Sequence, residues 1–126
     1  MLITTIPQYV LGVTNAKVDL TTTNATVLYT APSGADFNTS IVNSILVSED
    51  SGNADTITIT LTNGTTVFSL FKVKAVGANA TIELLTKDLS LQSGEILKVT
   101  AATANRLHVV ASIQEFAIHR TPQSAL

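Results

Sequence analysis

Two histidines and nine carboxylates are the residues of this chain that could carry acid–base or metal chemistry. His108 and His119 stand eleven residues apart. A histidine metal site needs three or four converging ligands, and this spacing supplies no third one. Of the carboxylates, Asp19, Asp36, Glu49, Asp50, Asp55, Glu83, Asp88, Glu95 and Glu115, most fall at turn sequences. One stretch, "EDSGNAD" (Glu49 to Asp55), gathers three of them beside Asn53. Oxygen ligands of that kind suit calcium, but the register is not that of an EF-hand loop, and a solvated turn is the better reading. No G-x-S-x-G places a nucleophile, no glycine pattern cradles a phosphate, and no cysteine is present. The expectation is a protein without catalytic, metal or cofactor site, and not an enzyme.

The elements that would have to position any site are set by composition first. A chain of 126 residues fits one domain and buries enough surface for a core without disulfides. Charged residues are 13% of it and hydrophobic ones 45%, so threonine, serine, asparagine and alanine occupy positions where lysine and glutamate ordinarily sit. Weak charge repulsion between copies makes close protein contact cheap, which suits an assembled protein. A net charge of −2 with seven Lys plus Arg offers no field for phosphates, so nucleic acid is not an expected partner. No apolar run approaches membrane-spanning length, and "MLITTIPQYV" lacks the basic start of a signal peptide, so neither a membrane nor export is expected. Aromatics are 5% with no tryptophan, which weakens sugar stacking.

Period two dominates the sequence. In "DTITITLTNG" the aliphatics Ile57, Ile59 and Leu61 alternate with Thr56, Thr58, Thr60 and Thr62, as in a strand buried on one face. After Asn63-Gly64, a pair suited to a tight hairpin turn, "TVFSLFKVKA" should return antiparallel. Alternation would set Val67, Phe71 and Val73 on one face and Phe68, Leu70, Lys72 and Lys74 on the other. Further strands are expected over Ile41 to Ser48, Ala80 to Leu85, Leu89 to Leu91, Glu95 to Ala102 and Arg106 to Phe116. Lys17 to Ala31 forms one bent strand or two short ones, stopped by "APSG", where Pro32 withholds a donor and Gly34 permits reversal. Tyr29, beside that stop, is expected to pack its ring at the core edge and reach a backbone carbonyl with its hydroxyl. Seven or eight short strands about ten residues apart, with no helical period, predict a single antiparallel β-sandwich, jelly-roll-like.

Both ends differ from the middle. Residues 1–16 are apolar but broken by Pro7 and Gly12, and 117–126 carry Pro122, so an N-terminal arm, a sandwich over 17–116 and a C-terminal tail are expected. The first arm is greasy enough that it should reach a neighbouring subunit or its own sheet edge. Ile3, Ile6, Tyr9 and Val10 of the arm, with Phe68 and Leu70, are the candidate interface residues.

The succession "ATVLYTAPSGAD", "SILVSEDSGNADTITITL" and "NATIELLTKDLSLQSGEILKVTAATANRLHVVASIQEF", Ala25 to Phe116, resembles small virion proteins of tailed bacteriophages. Their pattern opens on a tyrosine followed by proline and glycine, passes through a hairpin, and ends on a serine and a glutamate three residues apart, here Ser112 and Glu115. The chain departs from it at Ser48, Glu49 and Glu95. The resemblance implies a non-enzymatic capsid decoration or cement protein, or a tail, neck or fibre component. It further implies a homo-oligomer, trimer or dimer, located on the virion and bound to the major capsid protein or another virion protein. A receptor- or carbohydrate-binding sandwich is the competing expectation.

Overall fold

The structure is a computed structural model; it describes residues 8–33 and 37–118, with side-chain surroundings for 12–33 and 39–116. Nine strands are present and no helix occurs among the described residues: β1 (Gln8–Asp19), β2 (Thr26–Thr30), β3 (Phe37–Glu49), β4 (Asp55–Thr62), β5 (Val67–Val76), β6 (Thr81–Glu83), β7 (Leu89–Gln92), β8 (Ile96–Ala101) and β9 (Leu107–Ile118). They form two antiparallel sheets. The first runs β1-β9-β3-β6, with β7 also on β3, and the second runs β2-β8-β4-β5. Two packed antiparallel sheets make the β-sandwich expected from the sequence. The ninth strand arises because Lys17 to Ala31, expected as one bent strand or two short ones, is divided between β1 and β2 around Leu20.

The threonine alternation is a sheet face. Ile57 and Ile59 are fully buried between the sheets while Thr56, Thr58 and Thr60 lie part-exposed on the outer side. Thr62 departs from that face: it is 6% exposed, and its hydroxyl accepts from the Gly64 amide at 3.0 Å. The hairpin loop is four residues, 63–66, rather than a two-residue turn. Gly64 alone takes the positive φ (103°), and Asn63 acts through its side chain, whose Oδ1 accepts from the amides of Thr65 (3.1 Å) and Thr66 (3.0 Å).

The core is a single aliphatic layer. Ile45 and Val47 of β3, Leu97 and Val99 of β8, and Val109, Ala111 and Ile113 of β9 are wholly buried with Ile57 and Ile59. In β3 the inward phase changes from Ser40 and Val42 to Ile45, Val47 and Glu49, because the register against β9 shifts between Val42 and Ser44. The Glu83 carboxylate closes the gap beside that bulge: it accepts from the Ile45 amide (2.8 Å), the Leu85 amide (3.2 Å) and the Ser44 hydroxyl.

The boundaries drawn for arm and tail cut across strands. β1 is paired with β9 from Gln8↔Ile118 to Asp19↔His108, so residues 8–16 of the arm and 117–118 of the tail belong to this ladder. Residues 1–7 and 119–126, with Gly34, Asp36, His119 and Pro122, lie outside the described residues. β2 ends at Thr30, just before "APSG"; beyond it, the Ala31 amide donates to the Glu95 carbonyl (2.8 Å) and the Gly94 amide to the Ala31 carbonyl (3.2 Å).

Because Ile59 is enclosed by both sheets, Ile59→Ala should cost roughly 2–5 kcal/mol of unfolding free energy. Urea denaturation of the two proteins measures the difference directly.

Candidate functional site

Several of the groups that could do chemistry hold loops and sheets together. Glu49, 2% exposed at the end of β3, lies in the inward phase of Ile45 and Val47. Its Oε1 accepts from the amides of Gly52 (3.1 Å) and Asn79 (2.9 Å), and its Oε2 from the Ser51 amide (2.8 Å) and hydroxyl. Burial alone would push this carboxyl up. Hydrogen bonds from the Ser51 hydroxyl and the amides of Asn79, Ser51 and Gly52 outweigh it and hold the group at about 2, against an ordinary 4.5. Glu83 is shifted down in the same way, burial being outweighed by the Ser44 hydroxyl and the Ile45 and Leu85 amides. Within "EDSGNAD", then, Glu49 faces amides, while Asp55 accepts from the Thr103 amide at 3.0 Å and Asp50 turns to His108. These carboxylates do not converge, and among the described residues no group of three or more His, Asp and Glu is placed to hold a metal ion.

His108 sits on the outer face of the first sheet. Its Nε2 is 3.2 Å from Asp19 Oδ1 and its Nδ1 3.6 Å from Asp50 Oδ2, with all three side chains substantially exposed. Pairs in such water-rich surroundings contribute about 0–1 kcal/mol.

Tyr29 makes a polar cluster that crosses between the sheets. Its hydroxyl lies 2.8 Å from Ser40 Oγ on β3 and donates to Glu115 Oε2 on β9. The expected backbone carbonyl is not its partner. Burial, then the hydrogen bond to Glu115, keep the phenol protonated and raise it to about 12. Ser40 and Glu115 stand in the inward phases of Val42 and Ile113, and that polar interruption of an apolar phase was the available signal.

The candidate interface residues fall on opposite margins. Tyr9 and Val10 pair with Ala117 and Phe116 in β1, the margin of the first sheet, while Ile3 and Ile6 lie outside the described residues. Phe68 and Leu70 are in β5, the margin of the second sheet. The two expected faces of β5 are not kept, because its pairing with β4 slips twice, between Ile57 and Ile59 and between Ile59 and Thr60. As a result Leu70 and Phe71 both pack on the core, whereas Val67 (64%), Phe68 (53%) and Val73 (60%) are exposed. Val73 has φ 51°, a left-handed conformation rare for a β-branched residue, and its amide donates to Thr58 Oγ1 at 3.0 Å. No feature of "FKVK" announces that distortion.

No family model and no curated protein matches the chain. Two crystal structures of a pentameric capsid protein isolated from metagenomic phage sequences are similar to it, each 19% identical over 84% of this chain, with a TM-score of 0.46. The chain spans 63% of one and 62% of the other, less than two-thirds of their length.

Two consequences are measurable. Tyr29→Phe strands the buried Ser40 hydroxyl and frees the Glu115 carboxylate, and should lower stability by roughly 1–3 kcal/mol in denaturant titration. For Glu49, a carboxyl held below its unfolded value stabilises the fold fully above pH 4.5 and loses that contribution as pH falls toward about 2. Thermal unfolding between pH 6 and 2 should therefore show a decline that Glu49→Gln flattens, from a lower starting stability.

Proposed function

We propose that the protein is a non-enzymatic structural protein of a tailed-phage virion, and within that class a decoration or cement protein. It would bind the major capsid protein as a symmetric homo-oligomer and stabilise the head. The observation that carries this reading is the Tyr29–Glu115 pair. The tyrosine that opens the phage-like pattern and the glutamate that closes it are 86 residues apart in sequence and hydrogen-bonded between the sheets. The pattern thus encodes a fastening of the sandwich, which is what a building block needs, and not a substrate site.

The surface supports the same reading. The outer threonine face of β4 is uncharged, and Val13 (71%), Val27 (49%), Leu46 (40%) and Phe68 (53%) stand exposed. Such contacts are weak singly and effective when many copies engage one particle. The first arm, through Ile3, Ile6, Tyr9 and Val10, and the β5 margin, through Phe68 and Leu70, are the surfaces assigned to contact.

Capsids prepared without the protein and incubated with it should bind it and resist heat better. Phe68→Asp should weaken that binding about tenfold or more. Undiminished binding of Phe68→Asp would remove β5 from the contact. A copy number per particle far below that of the capsid subunit would move the protein to the tail or neck.

A further inference from the structure

β5 is an edge with two unlike halves. From Val67 to Ser69 it pairs regularly with Thr62, Leu61 and Thr60, carries no charge, and exposes Val67 and Phe68. From Leu70 onward it is blunted: both slips against β4 fall here, Lys72 and Lys74 stand on it, and the left-handed Val73 turns its amide to Thr58. Bulges and lysines are the usual defences of a sheet edge against pairing, and the first half lacks them. Among the described residues β5 has no partner but β4.

The chain also contains a segment suited to that half. Residues 1–6, "MLITTI", have uncharged side chains and are rich in β-branched ones, and Pro7 cannot donate to a ladder, which ends any pairing at Ile6. The segment cannot serve its own β5. It joins β1 at Gln8, and the sheets meet with β1 against β2 and β3 against β5, so β1 and β5 lie on opposite margins. Crossing three strand spacings and one sheet spacing takes about 17 Å. Seven extended residues reach at most ~24 Å, so only about two would remain to pair.

We infer that residues 1–6 of one copy add as a strand to the Val67–Ser69 half of β5 on the next copy, with apolar side chains of the segment covering Val67 and Phe68. The inference rests on the self-assembly in the proposed function and names its partner and its geometry. Donor and acceptor are different surfaces, so the contact is either exchanged reciprocally between two copies or passed head to tail round a ring.

Light scattering of the full chain in solution, without capsids, tests this separately from capsid binding. Three proteins are needed: the full chain, a donor-defective chain (Ile3→Asp with Ile6→Asp, or deletion of residues 1–6), and an acceptor-defective chain (Val67→Asp with Phe68→Asp). Circular dichroism establishes that each is folded; the point variants serve if the deletion is not. The full chain should form a discrete oligomer, each defective chain a monomer, and their equimolar mixture a heterodimer, since one donor and one acceptor remain intact. A monomeric full chain, an oligomer that survives either defect, or a mixture that stays monomeric would overturn the inference. None of these results decides whether the protein binds capsids.

Discussion

Every strand of the sandwich has to keep its aliphatic side chains in phase with one shared interior, and most of the irregular features follow from that requirement. A sheet has no partial rotation available: a residue faces in or out, and a slip of one position exchanges the faces. β3 meets the constraint over thirteen residues by changing phase once, at the bulge between Val42 and Ser44, so that both Val42 and Ile45 are enclosed. The bulge leaves backbone groups without ladder partners, and Glu83 is positioned to accept from one of them. β5 meets the same constraint less regularly, and its slips bring Leu70 and Phe71 to the core at the expense of a clean edge.

Polar groups placed in the inward phase act as fasteners. Ser40, Glu49 and Glu115 each interrupt an aliphatic series, and each is satisfied by named donors or acceptors; no buried side-chain polar atom among those described lacks a partner. Glu49 ties the β3–β4 connection to the β5–β6 connection, Asp55 ties β4 to the β8–β9 connection, and Arg106 donates to the Ala54 carbonyl at 2.9 Å. One end of the sandwich is therefore cross-linked by side chains. The other end carries the 63–66 hairpin and the outer ends of β1 and β9.

Alternation in "DTITITLTNG" and the turn residues made the sheets legible from sequence, since period two and β-branched propensity act locally and agree. The strand count was less legible because Leu20 is an apolar residue in a connection, buried without being in a strand. The extent of β1 was hidden by Pro7 and Gly12, which read as breaks, although Gly12 falls at a register shift inside the ladder. As for the candidate surface, Phe68 was identifiable as an apolar residue near a hairpin, while the exposure of Val73 was not. Its left-handed backbone depends on a hydrogen bond to Thr58, fifteen residues earlier.

Gln8 and Ile118 face each other across the β1–β9 ladder. The first and last strands are neighbours running in opposite directions, which is the relation of the two arms of a hairpin. Joining them by a short turn and opening the chain at an exposed connection such as 63–66 would preserve the ladders of both sheets. The strand order along the polypeptide is thus cyclic in its structural content, and the sandwich is specified by which strands are neighbours rather than by which is synthesised first.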